Sequence, residues 1–432
     1  MDIEKIKDAI DGKFDSWELY HHKERDKKFE AKERQICGIE IKEEEGIALR
    51  ALKDHRTVFT YTYDRNNTTG LLLKNATALL PFMERDDDRF FPGKVEGYPV
   101  LSLHDDESLK IDDAQKTALL IDMESVIRDY DKRIVTVRNC ELQEIEYEVK
   151  IINSNGLATE GSKTLYVLSA YCVAKDVDEV SWYDWTWSHT FKGLEWKKLA
   201  TSIAEKTISF LSGKQIDTGI YEGIITPQAA CDMLGILSEA FLSENLFKNK
   251  TKLKGKEGTK CFSEGLTVID SGAMGIDSFP FDGEGIPSKE NIIVKNGYFR
   301  GFLYDSYYGH KYNLDSTGNA ARSGIKEPPK CGPRGMFITQ GERDIESVLS
   351  NGVIIEELMG THTANPITGD FSLGTGGYIC KNGEKTPFQG VIFSGNVFEL
   401  LKNVKEIGKD LKFYGVFGSP SLFVESIKIS GK

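Results

Sequence analysis

The chain has 432 residues, of which 40% are hydrophobic, and its 67 acidic against 55 basic side chains give a formal charge of −12. That length supports two or three units with cores of their own, while the acidic balance argues against a chain built to grip nucleic acid, because phosphate neutralisation needs clustered Lys and Arg. No run reaches the roughly 20 apolar residues that cross a bilayer, and the opening MDIEKIKDAI lacks the apolar core of a secretion signal, so a cytoplasmic location is expected.

Residues 3–10 carry a short helical pattern closed by Gly12. Strand-forming runs follow at 17–20, 36–41, 47–52 and 58–63. Ile39 and Ile41 alternate with Glu40 and Lys42, which sets apolar side chains on one sheet face and charge on the other. A covering helix is predicted over 68–82, with Leu71, Leu72, Ala78 and Leu79 as packing residues. Residues 84–113, acidic and broken by Pro and Gly, read as a long connection. The order then repeats: a helix over 114–130, strands near 134–137, 145–152, 164–173 and 180–187, and a helix over 194–211. Helix, antiparallel strands, helix occurs twice, the pattern of an internal structural duplication.

Some conspicuous residues in this half have plain explanations. The aromatic-rich run SWYDWTW, with Trp182, Trp185 and Trp187, suits a half-buried strand better than a ligand platform. His21 and His22 are neighbours on a strand, so their side chains face opposite ways and share no metal easily. Seven scattered cysteines without CxxC spacing are expected as free thiols.

A second domain is expected from Gly219, dividing the chain into 1–218 and 219–432. The fold class is α+β: antiparallel strands with covering helices first, then a mostly-β domain with a few helices. Thr226 and Pro227 suit a helix start, with threonine able to cap, and Ala230, Met233, Leu234, Leu237, Ala240 and Phe241 continue at helical spacing. The glycine loops beyond residue 266 contain neither GxxxxGK[ST] nor a strand-linked GxGxxG, so no nucleotide site is read from them. Cys331 lies in PPKCGPRG, a proline-rich loop that could expose it, and the motif holds no histidine to act as a base, so a thiol nucleophile is not expected.

From Gly360 onward, β-prone runs at 370–373, 377–381 and 389–393 alternate with turns, and an amphipathic helix is predicted over 397–407. Gly374, Gly376 and Gly377 lack a Cβ, which would let the backbone of an extended peptide approach closely. With His362 and Asn365 they form the candidate substrate groove.

Several ordered stretches carry a resemblance: SFPFDGEG and STGNAARSG, then THTANPITGDFSLG and FSGNVFELLKN. Together they resemble the TldD/PmbA family, historically called modulator of DNA gyrase, over essentially the whole chain and most firmly from Gly219 onward. In the TldD branch an HExxxH motif supplies two zinc-binding histidines and a general-base glutamate, with a cysteine near the C-terminus as a further ligand. The matching stretch here is Ser238-Glu239-Ala240-Phe241-Leu242-Ser243, and its C-terminal counterpart, residues 415–421, has no cysteine. Only Glu239 survives, and a serine hydroxyl is a poor zinc ligand beside an imidazole or thiolate. Ser238, Glu239 and Ser243 are therefore degenerate motif positions, with no metal or other cofactor expected in this chain. His310 and His362 fit no HxH, HxxxH or HxxEH pattern that would rebuild a site.

The missing ligands imply the PmbA branch, also called TldE: a subunit without its own zinc that pairs with a zinc-bearing TldD-type subunit in a cytoplasmic peptidase acting on peptides or unstructured segments. Two alternatives stay open, a homodimeric peptide-binding or regulatory protein and an independent hydrolase with a rebuilt site. None implies direct contact with nucleic acid or membrane.

Overall fold

In the computed structural model, residues 1–346 and 349–432 are described. Packing divides them into two units, one of residues 1–211 with 279–287 and 320–330, the other of 212–278, 288–319 and 331–432. The expected boundary at 218/219 follows the order of elements along the chain, whereas two short segments of the second half pack within the first unit.

The first unit opens with α1 (Ile3–Ile10), capped by the Asp2 carboxylate, which accepts from the Lys5 amide at 3.3 Å. Three antiparallel strands follow, β1 (Ser16–Lys32), β2 (Gln35–Lys53) and β3 (Arg56–Thr62), then α2 (Thr68–Leu79) and a one-turn α3 (Asp106–Leu109). Next come α4 (Asp113–Asp129), three more strands, β4 (Ile134–Asn153), β5 (Ala158–Lys175) and β6 (Glu179–Ser188), and α5 (Trp196–Phe210). The sheet order is β3-β2-β1-β4-β5-β6. Two three-stranded meanders thus meet where β1 runs antiparallel to β4, with Phe29 opposite Leu142, and helix–strands–helix recurs on either side of that seam.

Ile6 and Ile10 of α1 and Leu72 and Ala76 of α2 pack on Trp17, Leu19, Ile47, Leu49 and Val58. The buried stripe of α2 steps through Thr68, Leu72 and Ala76 at i, i+4 spacing, which leaves Ala78 and Leu79 exposed rather than packed as the sequence suggested. On the other meander Trp182 stacks on Phe210 of α5 with ring centroids 5.1 Å apart. His21 hydrogen-bonds Glu45 at 3.0 Å while the ring of His22 lies 4.8 Å from that of Tyr147, so the two histidines serve separate environments.

β1 and β2 run well past their apolar stretches, pairing out to Lys32 opposite Gln35. β3 reaches only residues 47–53 of β2, so among the described residues no strand pairs with the outer edge of 35–46. Ile39 and Ile41 lie there 47% and 55% exposed, on no covered face.

Tyr20, Ala48, Val149 and Ile151 pack against Phe279, Phe281 and Ile325, which the two late segments supply. A buried ion network accompanies them. Arg50 donates from Nε to Glu18 Oε1 at 2.9 Å and from Nη1 to Glu284 Oε1 at 3.1 Å, and Arg322 Nη2 donates to Glu18 Oε1 at 2.9 Å. The Arg322 guanidinium also lies 4.0 Å from the Tyr20 ring centroid.

Along the rest of the chain come β7 (Gly219–Ile225), α6 (Pro227–Ser238), α7 (Ser243–Phe247), β8 (Val268–Ser271), β9 (Glu290–Lys295), β10 (Tyr298–Phe299) and α8 (Ser306–Lys311). They are followed by β11 (Ala320–Ala321), β12 (Lys330–Cys331), β13 (Met336–Ile338), β14 (Gly352–Met359), β15 (Asp370–Lys381) and β16 (Glu384–Asn396). The chain ends with α9 (Val397–Lys402), β17 (Val404–Ile407), β18 (Lys412–Tyr414), β19 (Phe417–Ser419) and β20 (Leu422–Ser430). In the second unit β16-β15-β14-β7-β20 closes into a barrel because β16 also pairs with β20, and a separate sheet runs β10-β9-β8-β13-β19-β18.

α6 is apolar nearly all round, and its Ala229, Ala230, Met233, Leu234 and Leu237 belong to the core of this unit. Thr226 holds the N-cap position, but its hydroxyl donates to the Glu356 carbonyl at 3.3 Å instead of capping. The helix predicted over 397–407 stops at Lys402, and Val404 turns onto β20 opposite Val424, satisfying backbone groups of that edge. The separate runs at 370–373 and 377–381 are one strand, β15. No described helix is long and apolar enough to cross a membrane.

Candidate functional site

The degenerate motif straddles the end of α6. The helix stops at Ser238, residues Glu239–Phe241 tighten into a 3-10 turn, Leu242 is extended and Ser243 begins α7. Ser238 is buried and its hydroxyl donates to the Gly235 carbonyl at 2.7 Å. Ser243 is fully buried and its hydroxyl contacts Cys331 Sγ at 3.4 Å, while that thiol donates to the Leu303 carbonyl at 3.2 Å. Cys331 is thus buried rather than loop-exposed, and burial pushes its thiol up to about 12, which suits packing and not nucleophilic attack. Of the three motif positions only Glu239 is exposed, with Oε2 accepting from Asn245 Nδ2 at 2.9 Å.

Beside Glu239 opens a cleft of about 450 Å³. One wall is a stripe of α6 and its 3-10 extension, Asp232, Gly235, Ile236 and Glu239, brought to one side by i, i+3, i+4, i+7 spacing. Thr361, His362, Ala364 and Pro366 line a second wall, and Tyr414 and Phe417 a third. A Cβ on Gly235 would stand 3.3 Å from the Phe417 ring, so the small residue lets the aromatic ring seat against the helix. Cys231, also lining the cleft, donates to the Phe417 carbonyl at 3.3 Å, and burial pushes its thiol up to about 12.

Asp232 was not singled out by the sequence. Burial, the sole cause, raises its carboxyl to about 6. Its one available signal was an isolated acid in the apolar run AACDMLGIL, seven residues ahead of Glu239.

The expected groove residues divide. His362 lines the cleft with Glu239. Asn365 lies on the same loop, but its side-chain oxygen accepts from the Ile367 and Thr368 amides at 2.9 and 3.0 Å and so shapes the turn. Gly374, Gly376 and Gly377 lie inside β15, which is paired with β14 on one side and β16 on the other. Gly376 and Gly377 are buried, and a Cβ on Gly377 would stand 1.8 Å from the Ile354 carbonyl oxygen. An incoming strand finds no free edge at these glycines, whose lack of a side chain instead lets β14 and β15 approach at a bulge. His310, exposed at the end of α8, does not line the cleft.

Among the described residues no group of three or more His, Cys, Asp or Glu could hold a metal ion, and the serines at 238 and 243 direct their hydroxyls at protein partners.

Comparison with known proteins agrees along the whole chain. The family model of PmbA/TldA metallopeptidase domain 1 matches residues 17–76, the central domain 106–211 and the C-terminal domain 218–431. An uncharacterized protein of Methanocaldococcus jannaschii is 30% identical over 385 residues, covering 87% of each chain. Metalloprotease PmbA of Escherichia coli O157:H7 is 26% identical over 362 residues, 82% of this chain and 74% of that one. In fold, TldE from Thermococcus kodakarensis matches with a TM-score of 0.89 at 22% identity over 99% of both chains. With all three domain models matched in order and a 30% identical relative spanning most of its length, this chain belongs to the TldD/PmbA metallopeptidase family.

Proposed function

We propose that this chain is a PmbA/TldE-type subunit, without zinc of its own, of a two-component cytoplasmic peptidase whose TldD-type partner supplies the metal and which cleaves peptides or unstructured protein segments. What carries this reading is the fate of the motif positions. A zinc peptidase of the HExxxH kind needs two imidazoles on the metal and a carboxylate to take a proton from bound water. Here the imidazole positions are buried serines bonded to Gly235 and Cys331, Glu239 alone keeps its motif identity, and among the described residues no group of three or more His, Cys, Asp or Glu could hold a metal ion. Relatives named PmbA and TldE support the assignment to that branch.

The test is purification of the chain alone and together with a TldD-type partner. Elemental analysis is expected to find no stoichiometric zinc in the isolated chain and zinc in the pair, with peptide hydrolysis by the pair only. One tightly held zinc in the isolated chain overturns the reading. Metal-independent hydrolysis by the isolated chain would favour a rebuilt hydrolase, and a homodimer that binds peptide while neither form cleaves it would favour a regulatory protein.

A further inference from the structure

We propose that the open edge of β2 joins two copies of this chain, each laying residues 35–46 antiparallel against the other. An edge strand turns half of its backbone N–H and C=O groups away from its one neighbour. Over 35–46 no backbone hydrogen bond joins those outward groups to another segment among the described residues, because β3 pairs with β2 only from Ile47 onward. Natural edges are ordinarily blunted by proline, short length or charge. This one holds no proline, pairs regularly with β1 from Gly38 to Gly46, and leaves Ile39 and Ile41 47% and 55% exposed.

The edge is complementary to itself. Its open length runs from Gln35, where β2 leaves the hairpin turn, to Ile47, where Thr62 of β3 takes over, and Ile41 is the midpoint. A two-fold axis through Ile41, perpendicular to the sheet, therefore fills the open length of both copies, and β3 of each comes no further than the hairpin tip of the other. Such an axis opposes residues of the same face. Ile41 then meets Ile41 of the second copy, with Ile39 diagonally beside it, and Glu40 meets Lys42 of the second copy, an ion pair that the symmetry makes twice. Ile39 lies opposite Glu43, whose carboxylate Arg25 already holds at 3.4 Å. Other two-fold registers fit less well. Centred on Glu40 or Lys42, the axis sets that charge against itself; centred on Ile39, it leaves residues 44–46 hanging past the tip and reaches the irregularity between Ile36 and Gly38.

One strand pair is smaller than the interfaces of about 1,200 Å² and above that hold stable complexes, so the association is reversible. The inference does not rest on the peptidase reading, which zinc content and hydrolysis test separately.

Sedimentation velocity of the full isolated chain, over concentrations of about 1 to 100 µM, measures the association. Glu40→Lys and Lys42→Glu should each weaken it about tenfold by placing like charges face to face, and the double variant should restore it. Circular dichroism melting is expected to show the fold intact, since both side chains are exposed. In a Cys37→Ser background, Ile41→Cys should form an intermolecular disulfide on mild oxidation that the Cys37→Ser parent does not form. Absence of a concentration-dependent association, single charge reversals without effect, or a double variant as weak as the single ones would overturn the inference.

Discussion

At the scale of single residues, Asp232 links stability to pH in the direction opposite to a salt-bridged acid. Its folded-state value of about 6 lies above the ordinary value of 3.8, so between those limits the folded chain keeps a proton that the unfolded chain has released. The resulting contribution is fully present below about pH 4 and is lost as pH rises through about 6. Asp232→Asn removes this titration. At about pH 7.5 the variant should be more stable than the parent by up to about 3 kcal/mol, and at about pH 3.5 the two should coincide. Urea unfolding at both pH values checks this, and a parent more stable at the higher pH would mean that the charged carboxylate has a partner in the fold.

At the scale of elements, β15 is held on both sides, and its glycines are spacers between strands. Gly377→Ala should cost about 2–4 kcal/mol, because the new methyl group would meet backbone of β14 that cannot yield without breaking the ladder. Gly374→Ala should cost less than about 1 kcal/mol, since its nearest neighbour, at 3.3 Å, is the end of the flexible Met359 side chain. Chemical denaturation of the two variants tests the contrast, and equally small losses would return Gly377 to the status of open surface.

The same elements show what a sequence can reveal. Runs with one buried face, such as 47–52 and 58–63, announce themselves by alternation, as does the apolar helix α6. β1 was legible only at 17–20, because HHKERDKK keeps much of both faces near solvent and leaves no hydrophobic period for the eye. Val404 and Ile407 fit a helical spacing equally well, and only the edge of β20, distant in sequence, makes them a strand. Glu239, found by motif, and His362, expected in the groove, line one cleft, but Asp232 looks like one more surface acid until the fold brings Tyr414 and Phe417 to that same cleft.

For the whole molecule, the buried network around Glu18 is the feature that ties distant parts of the chain into one unit. Arg50→Met would leave Glu18 and Glu284 without a principal partner in a dry site, and the expected loss is about 3–5 kcal/mol. Equilibrium unfolding monitored by tryptophan fluorescence measures it; a loss under about 1 kcal/mol would show that water reaches and compensates the carboxylates.

The placement of residues 279–287 and 320–330 in the first unit also bears on how the chain is made. A ribosome adds about 5–20 residues per second, and domains ordinarily fold as they emerge, first to last. Here residues 1–211 emerge while Phe279, Phe281, Glu284, Arg322 and Ile325 are still unsynthesised, so Tyr20 and Ile151 lack their apolar cover and Glu18 and Arg50 half of their counter-charges. Until residue 330 has left the exit tunnel the nascent sheet keeps an open sticky face, a natural landing place for a holding chaperone. A gene fragment ending at 211 would stop the protein in that same unfinished state.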